Sequence, residues 1–518
     1  MRSFLHRFGA RILGVLSGFD RVRFRGSLLR LASVGGMSQW LASKQVPLKD
    51  FTAMAQDHTK QLREALEAKA ARAGRPVEYL ASFTNKEALV QQRRRRDGVA
   101  PGGLIAAFST LENCSSYDIY RDVKTHGIAL RKRPRKCLHY YFYFEDDRFG
   151  LTQVRLQTWF PFGVNVVLNG RAWLARQLDG SGIGYLRKDN CFTWVEDFAR
   201  AQRLADRQPR IPWADQLDRL LRRPYPEHRR WFPDVPYYWT VEQSEWATDV
   251  AFRDADALAE LYPQLIRRGI ETFGSEDVLR FLGHRLTAEG HVPAHLKAEV
   301  TSDLKHRPEG VRIKHRVGRN SIKLYDKQGS VLRVETTLND VKPYQSFRPA
   351  TDDPGGAPGW RPLRKGVADM VRRTELSQAS NGRYLEALGS LPVDTPLSRV
   401  AEKLCRPVVV EGRRHRALNP LNPDDARLLA AVSRGEYLVS GFRNRDIRQA
   451  LHGDPTDDTT RRHQAAAVTR RLGLLRAHGL IKKIPRTHRY LLTAEGTRVV
   501  PALLAANNAT LQQLTNAA

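Results

Sequence analysis

One forty-residue stretch constrains the fold more than any other part of the chain. Residues 131–170, RKRPRKCLHYYFYFEDDRFGLTQVRLQTWFPFGVNVVLNG, carry Tyr, Phe, Val and Trp at a two-residue period, broken by turn sequences at Glu145–Asp147 and Phe160–Gly163. Aromatic and β-branched side chains at that period suit a pleated, half-buried surface, so the stretch reads as three successive strands. ILGVLSGFDRVRFRGSLLRL, residues 12–31, alternates in part between apolar and basic positions and predicts a strand with one charged face. A second β block runs from Glu299 to Thr337, with GVRIKHRVGRNSIKLYDKQGSVLRVETT forming three strands and turns at Gly318 and Gln328-Gly329.

Helical patterns are inserted between these blocks. They run from about Leu48 to Ala73, through Arg93–Arg96, from the Asn169 cap to about Leu221 (including CFTWVEDFARAQRLADR), and from Ala255 to Gly283. The fold class is therefore α+β and multidomain, a mixed β-sheet body with inserted helices, because 518 residues exceed one compact core. A basic α/β region spans 1–130 and a mixed sheet and helical body 131–349. The Pro- and Gly-rich RPATDDPGGAPGWRPLR at Arg348–Arg364 opens a linker and helical connector, 350–423. A separate terminal domain occupies 424–518.

Charge narrows the function. There are 85 Lys and Arg against 55 Asp and Glu, a net +30. A surplus of that size repels itself unless a polyanion compensates it, which points to DNA, with structured RNA as a further partner, and away from a membrane. No apolar run approaches the ~20 residues of a membrane span. Cys114, Cys137, Cys191 and Cys405 are scattered without a CxxC pair, which argues against a cysteine-ligated zinc finger and fits a reducing cytoplasm.

In the terminal domain, DDARLLAAVSRG, GFRNRDIRQAL and TTRRHQAAAVTRRLGLLRAHGLI read as three helices, the first opened by Asp424. IKKIPRTHRYLLT follows as two short strands around a basic tip. Helix, helix, helix and basic hairpin, with RRLGLLRAHGLIKKIPRTHRYLLTAEG as its core, resembles the winged helix-turn-helix proteins of bacterial regulators and mobile elements. That resemblance implies a third helix in the major groove, with Arg461, Arg462, Thr469 and Arg470 on bases or phosphates. It also implies a wing carrying Lys482, Lys483, Arg486, His488 and Arg489. The region holds 15 Lys and Arg against 8 Asp and Glu, as a phosphate-binding module should.

The central GRNSIKLYDKQGSVLRVETTLN resembles a hairpin of plasmid and phage replication initiators. The resemblance implies Tyr325 as a nucleophile on a phosphodiester, with Asp303, Asp326 and Glu335 holding a divalent metal such as Mg2+. Lys323, Lys327 and Arg333 would then offset phosphate charge. The chain lacks the His-hydrophobic-His pair that many such enzymes use. The same hairpin also reads as a plain phosphate cradle.

Asp20, beside Arg21, Arg23 and Arg25, could begin a carboxylate metal site with Asp189, Glu245 or Asp249, or could simply pair with arginine. QTWFPF and QSEWATD could stack bases, or their aromatic rings could be core. His291 and His295 flank Pro293, which spoils a helical metal pair. Taken whole, the chain resembles a widespread bacterial family with no established activity, through GFDRVRFRG, QTWFPF, NGRAWLARQ, QSEWATD, SIKLYDK and LLRAHGLI. Three readings follow: a nucleic-acid-binding protein of a mobile element, a metal-dependent nicking or strand-transfer enzyme using Tyr325, and a winged-helix transcriptional regulator.

Overall fold

The computed structural model describes residues 1–124, 126–225, 228–284, 286, 299–307, 310–350, 352–389, 397–434, 437, 441–485 and 487–510. The chain forms two compact units. One comprises Leu16–Trp246 with Arg364–Val371; the other comprises Met1–Val15, Ala247–Leu363 and Arg372–Ala518. Both mix helices and strands, in keeping with the α+β class. Among the described residues, no helix is long and apolar enough to cross a membrane.

The unit built on Leu16–Trp246 holds the longer strands. They are β1 (Ile12–Leu28, entering this unit at Leu16), β2 (Glu78–Tyr79), β3 (Leu104–Arg121), β4 (Ile128–Asp146), β5 (Gly150–Gln157) and β6 (Val164–Asn169). A separate hairpin pairs β7 (Tyr185–Lys188) with β8 (Cys191–Val195), and β9 (Tyr237–Phe252) leaves the unit after Trp246. The sheet order is β9-β1-β6-β5-β4-β3-β2. β1 through β3 pair antiparallel by way of β6, β5 and β4, and β2 joins β3 in parallel. The strands predicted between 131 and 170 are β4, β5 and β6, and the two-residue period sets which face each side chain takes. Val22, Phe24, Tyr140, Phe142, Val154, Leu156, Val164 and Val166 turn into one core. Helix Phe51–Arg72 covers that face with Phe51, Ala55, Leu62, Leu66 and Ala70, a stripe at helical spacing. Each fully buried Phe or Leu contributes roughly 1.5–3 kcal/mol.

CFTWV, expected as the start of a helix, is strand β8, and the helix begins only at Phe198, where the Asp197 carboxylate accepts the Arg200 N–H. Cys191, Phe192 and Val195 are buried, so the local pattern favours pairing with β7 over a helical face.

In the other unit, β10 (Val300–Arg307), β11 (Gly310–Val317), β12 (Asn320–Lys327) and β13 (Val331–Leu338) run antiparallel in that order, followed by the end of β9. Helices Ala255–Glu271, Ser275–Leu282 and Met370–Gly389 pack Leu258, Leu265, Leu279, Leu282, Tyr384 and Leu388 onto Ile313, Ile322, Leu324, Leu332 and Val334. Gly269 permits this approach: a Cβ there would stand 2.7 Å from the Ile313 methyl and 3.0 Å from the Tyr384 hydroxyl. The Pro- and Gly-rich stretch expected as a linker is the loop of a hairpin, β14 (Gln345–Arg348) with β15 (Gly359–Pro362). A further small hairpin joins β16 (Val408–Val410) to β17 (Arg413–His415).

The carboxy-terminal segment of this unit has helices Pro423–Val432, Asn444–His452 and Asp458–Ala477. The hairpin β18 (Ile481–Lys483) with β19 (Tyr490–Leu492) and helix Ala494–Asn508 follow. Asn422, not Asp424, caps the first of these helices, accepting the N–H groups of Asp424 and Asp425. Leu428, Leu429, Ile447, Val468, Leu472, Leu475, Leu480 and Val500 form its core.

β13 is buried on both faces, and Arg333 is fully enclosed. Its guanidinium forks onto Asp249, with Nε donating to Oδ1 at 2.6 Å and Nη2 to Oδ2 at 2.8 Å. Removing the carboxylate strands a buried cation, so Asp249→Ala should lower unfolding free energy by about 3–5 kcal/mol. Urea denaturation monitored by circular dichroism measures this; a loss under 1 kcal/mol would show that the pair adds nothing.

Candidate functional site

The alternation that buries one face of β1, β4, β5 and β6 pushes their remaining side chains onto the opposite face, where they line a groove of about 660 Å3. Register aligns them into rows. Arg25 pairs with Asn165, Asn165 with Arg155, and Arg155 with Tyr141; beside them Arg23 pairs with Val167, Val167 with Gln153, and Gln153 with Tyr143. Glu112 and Asn113 of β3 continue the floor, and one wall is the 82–87 segment that opens helix Lys86–Asp97. Arg21, Arg23 and Arg25, predicted as binding residues, are therefore gathered here.

Three carboxylates stand among the five cations of the groove, and each is near a cation. Arg21 reaches Glu87 at 2.8 Å, and Arg23 is 4.0 Å from Glu242. Arg155 donates to Glu112 at 2.5 Å, while the Tyr141 hydroxyl donates to the other Glu112 oxygen at 2.6 Å. Burial alone would raise the Glu112 carboxyl, but the Tyr141 and Arg155 contacts outweigh it and hold it below the usual range. Lys86 lies 4.9 Å over the Tyr141 ring. Arg25 has no acidic partner among the described residues.

His139 is enclosed in the same groove. Burial and the nearby Arg155 push its pKa down to about 4, against the pull of Glu112. Nδ1 lies 3.0 Å from the Cys137 carbonyl oxygen, which can only accept, so Nδ1 carries the proton and Nε2 is left as an acceptor. The groove thus offers cations, carboxylates, amides, phenols and one neutral imidazole, a set able to bind phosphates and hydrogen-bond to base edges together.

In the carboxy-terminal segment, Arg461, Arg462, Thr469 and Arg470 are exposed on helix Asp458–Ala477. Arg462, Thr469 and Arg470 stand off the stripe of the buried Val468, Leu472 and Leu475, while Arg461, two turns before Val468, lies on that stripe's line in the first turn. Arg461 leans on Asp458 at 2.9 Å, and the Thr469 hydroxyl accepts from Asn444 Nδ2 at 2.9 Å. Lys482, Lys483 and His488 are exposed on the hairpin, while Arg486 lies outside the described residues. Arg489 turns inward: it sits 4.3 Å over the Phe347 ring and donates to the Gly441 carbonyl at 3.1 Å. With Arg443 5.0 Å over the same ring, it braces the hairpin against β14.

Tyr325, Lys323 and Lys327 line a second hollow of about 370 Å3, with Arg307, Arg312 and Asp326. The Tyr325 hydroxyl donates to Glu335 at 2.7 Å, and Lys323 donates to the other Glu335 oxygen at 2.5 Å. Burial would raise the Glu335 carboxyl, but Lys323, Arg333 and Tyr325 keep it ionised and below its usual range. Asp326 instead is raised by burial, and its side chain accepts the Gly329 N–H of the turn. Among the described residues, Asp303, Asp326 and Glu335 do not gather closely enough to share one ion. Arg333, locked on Asp249, does not reach a ligand.

Asp20 and Glu245, in the unit with the groove, bring carboxylate oxygens within 4.8 Å of one another, a separation that could hold a hard divalent cation such as Mg2+. Asn190 donates to Asp20 at 2.6 Å, and Asp189 is exposed at the β7–β8 turn. The base-stacking reading of QTWFPF and QSEWATD does not hold: Trp159, Phe160, Phe162 and Trp246 are core residues. His291 and His295 lie outside the described residues. Sequence reasoning missed Lys86, Glu112, His139, Tyr141 and Arg155, although YYFYF and QVRLQ carry the alternation that turns two of them, Tyr141 and Arg155, outward. No known protein family, curated protein or solved structure matches the chain.

A histidine kept neutral by the fold makes stability depend on acid. The unfolded imidazole takes up its proton near pH 6.5 and the folded one near 4, so this contribution is intact above 6.5 and lost as pH falls toward 4. Urea unfolding between those values should show the wild type losing more stability than His139→Gln; equal losses would show that the ring is not held neutral.

Proposed function

We propose that this chain is a nucleic-acid-binding protein, of a kind encoded by mobile genetic elements, that uses two surfaces. Its carboxy-terminal segment acts as a winged helix-turn-helix on duplex DNA, and the groove across β1, β6, β5, β4 and β3 holds further DNA or RNA. The observation that carries the reading is the exposed arginine edge of helix Asp458–Ala477, followed directly by a hairpin with Lys482 and Lys483 exposed. A helix with that edge can enter a major groove while the hairpin touches the adjoining backbone. The cation rows of the groove support the second surface, since guanidinium groups bind phosphates in a fixed fork. Each cation set at a phosphate releases counterions, so affinity must fall with salt.

Replacing Arg461, Arg462 and Arg470 together by Ala should weaken duplex binding at least roughly tenfold and flatten the log–log salt slope by about two to three. Fluorescence anisotropy at several salt concentrations reads both. Unchanged affinity and slope would remove the helix from the interface.

A second reading is favoured by one specific arrangement, the Tyr325 hydroxyl donating to a buried carboxylate in a hollow lined with four Lys and Arg side chains. Glu335 would take the phenol proton as the oxygen attacks phosphorus, forming a phosphotyrosine bond and expelling a sugar oxygen. Arg307, Arg312, Lys323 and Lys327 would offset charge at the phosphate. Supercoiled plasmid incubated with magnesium should be nicked and covalently labelled by the wild type and left intact by Tyr325→Phe. Nicking that survives the substitution eliminates the tyrosine.

A further inference from the structure

Between two residues that line the groove, Ser82 and Thr84, the chain carries an aromatic ring that the core does not use. Phe83 is 91% exposed, while its neighbours Ser82, Thr84 and Asn85 line the groove. Its backbone is tied on both sides. Leu80 N–H donates to the Ser109 carbonyl at 2.8 Å, Thr84 N–H closes a turn on Ala81 at 3.0 Å, and Asn85 caps the following helix by accepting the Ala88 N–H at 3.1 Å. A fixed, fully solvated phenylalanine forgoes the burial that would stabilise the protein and gains nothing from solvent.

The chemistry beside it indicates what the ring meets. A track for duplex backbone needs only cations, yet this groove sets Glu112, Glu87 and Glu242 among the arginines, with Asn113, Gln153, Gln157 and Asn165. Carboxylates repel phosphates but accept the amino N–H groups of base edges, and amides both donate and accept. Those edges and the flat faces of bases are accessible together only where the bases are unpaired.

We infer that the groove binds single-stranded nucleic acid and that Phe83 stacks on one of its bases. Resting on the nucleic-acid reading above, this assigns to the groove an unpaired strand and to the terminal helix the duplex. Arg21, Arg23 and Arg25 hold phosphates, the Glu112–Tyr141–Arg155 set with Lys86 meets a base edge, and Phe83 closes over a base at the rim.

The experiment uses the full chain, a 5′-labelled 20-nucleotide single strand carrying 2-aminopurine, and the corresponding duplex. Phe83→Ala should weaken single-strand binding roughly tenfold, the range expected for one lost base–aromatic stack, with duplex affinity changed less than twofold. Phe83→Trp should retain single-strand affinity, and 2-aminopurine should be quenched on binding to both the wild type and this variant but less by Phe83→Ala. Because the ring is solvent-exposed, neither variant should alter the unfolding midpoint. Unchanged single-strand affinity for Phe83→Ala, alongside a loss in an Arg23→Ala and Arg25→Ala double variant, overturns the stacking and leaves the groove as a nucleic-acid surface. No single-strand binding by the wild type overturns the inference, and no binding of either strand form overturns the reading beneath it.

Discussion

The arrangement of β1, β4, β5 and β6 depends on one constraint: a strand with a buried apolar face has a single permitted register. A slip by one residue would exchange Val22 and Phe24 for Arg21, Arg23 and Arg25 and drive guanidinium groups into the core. The desolvation cost of even one such group, several kcal/mol, exceeds what any hydrogen-bond rearrangement returns. The apolar pattern therefore fixes the charged face as firmly as it fixes the core. Arg25, Asn165, Arg155 and Tyr141 line up across four strands because the residues behind them had to be buried.

Burial also sorts the chain's many cations into two populations. Arg333 is enclosed and matched by Asp249, and Arg489 is folded over Phe347 and Trp360; both serve the structure. Arg461, Arg462, Arg470, Lys482 and Lys483 are exposed around a segment whose own core is apolar. The groove lies between these extremes. Its Glu112 is ionised because Tyr141 and Arg155 hold it so, and His139 is neutral because burial forbids the charge. Fixed donors and acceptors of that kind add selectivity to an attraction that net charge alone would leave indiscriminate.

Periodicity carried most of the fold into view. The three strands after residue 131, the β block after Glu299, and the order of helices and hairpin near the carboxy terminus are all legible, because each rests on an apolar repeat that one face must bury. Helical periodicity misled where a neighbouring strand was there to pair: CFTWV became β8 because β7, two residues upstream, receives it, and the Pro- and Gly-rich stretch closed a hairpin because Gln345–Arg348 found Gly359–Pro362. Arg21, Arg23 and Arg25 were legible as a charged face, but their companions lie on other elements: Glu112 and Arg155 meet them through strand register, and Lys86 through the placing of its helix beside the sheet. Arg333 misled for the converse reason, since nothing in VLRVETT announces that Asp249 encloses it. Phe83 was hidden in plain text: an aromatic between Ser82 and Thr84 has no periodic partner, and only its exposure gives it meaning.

Photo-cross-linking followed by peptide mapping tests the central claim most directly, because it reports where nucleic acid lies on the intact protein. With a single-stranded oligonucleotide, the account predicts adducts on the peptides carrying residues 82–87 and 139–157; with duplex, on those carrying 458–483. Adducts confined to other segments, or spread without preference over the cationic surface, would contradict it.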